Sequence, residues 1–166
     1  MGQGLCNSAG NMYSLMKWLF LTSLIVWLGE VVFFSFVVAP SVFRSFDAPL
    51  GGRVVGAIFP TYYRLGYVCG AALLVGSVIF VAAGTSRIWW AASTLLAAVM
   101  LGATLYAGLA IQPRATALRP QIHDAAAPQS VKDEFDRLHR LAVKLNGAVL
   151  MCGIMMSVIT AAKLQP

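Results

Sequence analysis

Four long apolar runs constrain this chain more than any other feature of its sequence. They cover approximately residues 17–38, 60–83, 89–111 and 131–162. A helix needs about 20 apolar residues to cross the hydrocarbon core of a bilayer, and each run is long enough. Backbone N–H and C=O groups cannot be hydrated in lipid, so the spanning segments are expected to be helical. The sequence therefore predicts an all-α, integral membrane four-helix bundle.

The composition supports one transmembrane domain over residues 1–166. Hydrophobic residues make up 59% of the chain and charged residues only 11%, whereas soluble domains have about 25% charged residues. A soluble fold of this size could not bury so much apolar surface. The 12 basic against 6 acidic residues are attributed to topology and to anionic lipid headgroups. We expect membrane lipids, bound lipid among them, as partners and no nucleic acid.

The fourth helix is predicted to begin in water. Ser130 is a candidate N-cap, and charged residues alternate with apolar ones as far as Lys144. Beyond Lys144 the run is apolar, so the last helix has an amphipathic extension. Between the helices, residues 40–59 are predicted to form a connection, with the part around Leu50 to Phe59 as a candidate short interfacial helix, and Pro60 suits the first turn of the second helix. Residues 112–129, which contain three prolines, are predicted to form the longest non-helical stretch.

The distribution of the basic residues predicts how the bundle is oriented in the membrane. With four spans, both termini share one side, which carries three Lys or Arg residues, while the other side carries nine. Positively charged loops stay in the cytoplasm. We therefore expect segments 40–59 and 112–138 to be cytoplasmic and the termini to lie outside, in a bacterial inner (plasma) membrane.

Glu30 is the only acidic residue within the first three runs and the apolar part of the fourth, which begins after Lys144. A lone carboxylate at that depth is costly, so it should be paired or protonated. Arg64 is the preferred predicted partner and Arg44 the second choice. Two interpretations remain open: an ion pair that holds two helices together, or a site for a proton, a cation or a substrate.

His139 lies where the amphipathic part of the fourth helix meets the membrane, and Asn146 shares its helix face. His139 is either a packing residue or a metal ligand, haem ligand or proton acceptor. Met151 and Met155 also share a face and are weak candidates for Cu(I), although packing is the simpler interpretation. The sequence contains no P-loop, GxSxG, HExxH or paired-carboxylate motif. No catalytic residue and no cofactor is predicted, with haem b or copper as alternatives.

Three segments resemble a known family. Residues 29–44 (GEVVFFSFVVAPSVFR) and 135–146 (FDRLHRLAVKLN) are similar to the first-helix and last-helix signatures of the transmembrane-protein-205-like family, and residues 56–63 also fit. The resemblance implies a four-helix membrane fold with Pro40–Arg44 close to Leu138–His139, and no agreed reaction. That family is distantly similar in fold to the copper-resistance protein D type of bundle and to a haem-binding protoporphyrinogen oxidase.

Three functions follow as hypotheses. The preferred one is a non-enzymatic accessory or structural subunit of a larger membrane complex, or a homo-oligomer. The second is a transporter of a small solute or ion that uses Glu30 and Arg64. The third is a haem- or copper-linked redox protein that uses His139.

Overall fold

A computed structural model describes residues 2–84, 86–122 and 128–163, and it shows four long antiparallel helices. Helix α1 comprises Gly2–Phe33, a π-helical turn at Phe34–Val38 and the segment Ala39–Ser45, and α2 spans Ala48–Ala82. Helix α3 comprises Arg87–Tyr106, a π-helical turn at Ala107–Ile111 and the segment Gln112–Ile122, and α4 spans Gln129–Lys163. All four are long and apolar enough to cross a membrane. The predicted all-α membrane four-helix bundle is confirmed.

The second helix begins twelve residues earlier than expected, at Ala48 rather than residue 60. Asp47 caps it, because its Oδ1 accepts a hydrogen bond of 2.9 Å from the backbone N–H of Leu50. Pro49 occupies the first turn, where its missing N–H costs nothing. Pro60 lies inside the helix instead of starting it. The predicted connection over residues 40–59 is therefore helical except at Phe46 and Asp47.

The third helix also extends beyond its predicted end, so the stretch expected to be non-helical is helical as far as Ile122. Pro113 does not stop it, because this residue follows a π-helical turn in which the regular hydrogen-bond ladder is already interrupted. Ile111 and Ala115 then pack against Leu138 of α4, which stabilises the extension. His123, the second histidine, lies outside the described residues.

The helices form a closed ring: each packs against the next, and α1 also packs against α4. Large apolar side chains fill the centre, where Trp90 lies 4.4 Å from Phe80 between ring centroids. The largest fully buried side chains of the core also include Phe20, Trp27, Leu73, Met100 and Met156.

Gly66 and Gly70 lie beneath the indole of Trp27, which is 1% exposed. A Cβ atom at either position would come within 3.1 Å of the indole ring. The GxxxG spacing therefore serves close contact between α1 and α2 of one chain. Exposed apolar side chains cover the outside of all four helices, as a lipid-facing surface requires; examples are Ile25, Val68, Leu95 and Val158.

Candidate functional site

A cavity of about 810 Å³ lies at one end of the bundle, where α1 and α3 end and α2 and α4 begin. Pockets that bind small molecules usually have volumes of about 300–1,000 Å³, are mostly apolar, and occur between the helices of bundles. Along α4 the lining extends from Phe135 to Leu150, which is about 22 Å of helix. The cavity is therefore long and follows the bundle axis.

Two π-helical turns border this cavity. The turn in α1 contributes Phe34, Ser35 and Phe36 to its lining, and the turn in α3 contributes Ala107. A π-helical turn adds a residue to the helix and rotates the side chains that follow, and such turns are frequent at functional sites. Both irregularities of the bundle thus occur where its interior opens.

A hydrogen-bonded group of three polar side chains, the Ser35–Tyr62–Asn146 triad, joins three helices in the cavity wall. The Tyr62 hydroxyl donates to Oδ1 of Asn146 at 2.6 Å. The Asn146 Nδ2 donates to Oγ of Ser35 at 2.8 Å. The phenyl ring of Phe34 lies 5.0 Å from the Tyr62 ring. The triad fixes the relative positions of α1, α2 and α4 while it satisfies polar groups away from water.

Arg119, at the outer end of the cavity, is half-buried against two glycines of α2. A Cβ atom on Gly52 would lie 3.6 Å from its Cδ and 3.7 Å from its Nε. A Cβ atom on Gly56 would overlap its Nη1. The guanidinium therefore occupies space that exists because residue 56 is glycine, whereas a Cβ atom on Gly52 would make only an ordinary van der Waals contact with the side chain.

The structure brings two of the five predicted polar residues into this site. Asn146 belongs to the triad, and His139 lines the outer end of the cavity. His139 is exposed, and its ring stacks on Phe135 with 6.5 Å between centroids. Glu30, Arg44 and Arg64 do not line the cavity.

The predicted ion pair between Glu30 and Arg64 does not form, nor does the one with Arg44. Within the described residues the one ion pair joins Arg137 to Glu134 at 2.9 Å. Arg64 is exposed, because it lies two residues past the inward-facing Tyr62 and so points to the outside of α2. Arg44 lies about 21 Å along α1 from Glu30. The Oε2 atom of Glu30 is buried without a hydrogen-bond partner among the described residues.

The thioether candidates face away from the bundle, since Met151 and Met155 are 59% and 55% exposed. In the described ranges, no three His, Cys, Asp or Glu side chains are grouped so that they could hold a metal ion. Neither methionine lines the cavity.

Three residues of the site were not predicted from the sequence: Ser35, Tyr62 and Arg119. Serine and tyrosine occur commonly in membrane helices, and nothing in one sequence shows which of them face each other. The signal for Arg119 was present in the Gly52–Gly56 pair, because a small-xxx-small spacing indicates close approach of another group.

The comparisons with known proteins give one match. No curated protein and no solved structure matches the chain. One family model matches residues 22–124, which is more than half of the chain and includes most of the cavity-lining parts of α1, α2 and α3. The chain therefore belongs to the family described as Domain of unknown function (DUF4149).

Proposed function

We propose that this protein is a non-enzymatic membrane protein that binds a lipid-like amphiphile in its cavity. The observation that carries the proposal is the cavity itself, about 810 Å³ of mostly apolar space between the helices. The long axis of the cavity follows the helices. Its few polar groups lie in the Ser35–Tyr62–Asn146 triad and at the outer end. Such a space suits a molecule with a long apolar part, and the bilayer supplies molecules of that kind.

The polar groups in the cavity wall favour binding over catalysis. Asn146 accepts a hydrogen bond from Tyr62 and donates one to Ser35, and the ring of the exposed His139 stacks on Phe135. Catalysis by a nucleophile requires a base within hydrogen-bond reach of it. Binding requires only shape and a few polar contacts, which this wall supplies.

The other sequence-based hypotheses remain predictions with less support. A transporter that uses Glu30 and Arg64 would need these residues on one pathway, and neither lines the cavity. A haem- or copper-linked protein would rest on His139 alone. The accessory-subunit or homo-oligomer role is compatible with amphiphile binding, since a bound lipid can form part of a subunit contact.

We also propose a bacterial inner membrane location, with the cavity at the cytoplasmic end. The support is the excess of basic residues at this end, which the positive-inside rule assigns to the cytoplasm. A relation to the transmembrane-protein-205-like proteins belongs to the same proposal, and its support is the similarity of residues 29–44, 56–63 and 135–146.

Filling the cavity tests the proposed function. Gly147 lines the cavity, and a Cβ atom there would meet nothing within 4 Å. Gly147 is also exposed, so Gly147→Phe should add a ring at the open side of the cavity without a clash. Gly102→Phe is the matched control, because Gly102 is exposed, does not line the cavity and also has open space around it.

Native mass spectrometry after extraction in a mild detergent is the measurement. We expect the wild type and Gly102→Phe to retain about one amphiphile per chain, and Gly147→Phe to lose most of it. A wild type without any bound amphiphile would overturn the proposal. Equal occupancy in all three proteins would overturn it too.

A further inference from the structure

The Arg119 side chain, with Gly52 and Gly56 beneath it, is the most polar feature of the outer cavity, and it has no assigned role. The guanidinium is half-buried, and it lies where the cavity approaches the basic end of the bundle. Deeper in the cavity, the lining residues include Val149, Leu150 and Ala103. Charge and apolar surface are thus separated along one axis, as they are in a phospholipid.

Arg119 has no ionic partner in the part of the chain that the structure describes. Asp47 caps α2, Asp133 accepts a hydrogen bond from Gln129, and Glu134 is paired with Arg137. A half-buried cation is costly unless an anion or hydrogen-bond acceptor compensates for the lost water. Among the described residues no carboxylate pairs with this guanidinium, so the site is able to bind an anion.

The chemistry of the guanidinium indicates which class of anion the site binds. Arginine presents a planar set of N–H donors that binds the oxygen atoms of a phosphate in pairs. The two glycines let the guanidinium lie against the backbone of α2, and Arg119 also lines the cavity, from which a headgroup can reach it. Other basic residues at this end, among them Arg53 and Arg114, add to the attraction for an anionic molecule.

We propose that the Arg119–Gly52–Gly56 site binds the phosphate of an anionic phospholipid whose acyl chain lies in the cavity. This inference rests on the amphiphile binding proposed above and adds the headgroup class. The apolar lining argues for a lipid rather than a soluble phosphate, because only a lipid also fills the space beside the triad.

The test uses the full chain in nanodiscs with equal amounts of dioleoylphosphatidylglycerol and dioleoylphosphatidylcholine, followed by native mass spectrometry. We expect the wild type to retain the anionic lipid about tenfold over the zwitterionic one, the effect of one charge-assisted hydrogen-bond pair. Arg119→Gln should reduce this ratio to about one while total lipid occupancy persists. Arg114→Gln removes the same charge from an exposed position outside the cavity. Water and salt screen an exposed charge, so this variant should keep most of the tenfold ratio.

A second variant distinguishes loss of the headgroup contact from misfolding of Arg119→Gln. Gly56→Ala keeps the guanidinium but displaces it, since the new methyl group would overlap Nη1. It should lower the lipid ratio in the same direction as Arg119→Gln. Gly102→Ala, which adds a methyl group in open space outside the cavity, is its control.

The outcomes separate the two proposals. A wild type that binds both lipids equally would overturn the headgroup assignment and leave amphiphile binding intact. If Arg119→Gln and Arg114→Gln lose the same amount of selectivity for the anionic lipid, that selectivity comes from the general surface charge. This result would also overturn the proposed Arg119 site. A wild type without lipid would overturn both proposals. If sodium phosphate stabilises the delipidated chain as much as phosphatidylglycerol does, the site binds a soluble phosphate, and the assignment to a lipid headgroup is overturned.

Discussion

At the residue scale, the Tyr62 hydroxyl is the group whose loss is easiest to interpret. Tyr62→Phe removes the donor to Asn146 Oδ1 and leaves a part-buried amide oxygen without this hydrogen bond. We expect the free energy of unfolding to fall by about 1 kcal/mol, typical of a hydrogen bond between membrane helices. Unfolding in a mixed-micelle titration measures it. Tyr63→Phe makes the same change in a neighbouring half-buried ring with no hydrogen bond in the described structure, and an equal loss there would contradict the role of the triad.

Glu30 and Asn146 show how far single residues could be placed from the sequence. Glu30 was singled out because a lone carboxylate in an apolar run needs a partner. Asn146 was singled out because it shares a helix face with His139, and it has two hydrogen-bond partners. The partner of Glu30 was chosen by depth in the membrane alone. Depth follows from counting residues, whereas the direction of a side chain depends on how the helix is rotated about its axis. The buried positions of α2 fix that rotation, and they point Arg64 outward.

At the scale of the elements, the contact between α1 and α2 depends on Gly70. A Cβ atom there would lie 2.9 Å from Leu101 Cδ1 and 3.0 Å from the Trp27 ring. Gly70→Val should therefore destabilise the bundle by about 1–3 kcal/mol, the usual cost of overpacking a core. The same unfolding titration measures it.

Gly102→Val supplies the comparison, because the new side chain would enter open space on the surface of α3. We expect it to change the stability by less than about 0.5 kcal/mol, as surface substitutions usually do. Similar losses in both variants would show that removal of glycine itself, rather than the contact with Trp27, determines the stability.

The number and class of the helices were predictable, whereas their ends were not. Hydrophobic length determines the number of spans, and lipid excludes open sheet edges and irregular backbone. The ends of the helices depend on local sequence signals, and the prolines are ambiguous signals of a helix end. Pro60 and Pro113 each suggested a boundary, yet α2 passes through the first and α3 continues past the second. The two π-helical turns have no recognisable signature in the sequence, so the cavity that they border could not be predicted either.

At the scale of the whole molecule, the length of the helices and the placement of charge together define how the bundle lies in a membrane. A helix of 35 residues, such as α4, is about 52 Å long, which exceeds the hydrocarbon core of about 30 Å. The surplus belongs at the end with nine basic residues, because charged side chains remain in the headgroup region or in water. The outer cavity, with Arg119 and His139, would then lie at headgroup level, where a lipid can enter from the side.

Cysteine labelling tests this arrangement. The exposed residues Gly10 and Asp136 lie at opposite ends of the bundle. Each is replaced by cysteine, Gly10→Cys or Asp136→Cys, in a chain that also carries Cys6→Ser. A maleimide that cannot cross membranes should label Gly10→Cys in intact bacterial spheroplasts, and Asp136→Cys only after permeabilisation, because the positive-inside rule places the basic end in the cytoplasm. The reverse pattern would invert the topology and place the cavity at the outer leaflet. Labelling of both positions in intact spheroplasts would contradict an antiparallel bundle that spans the membrane.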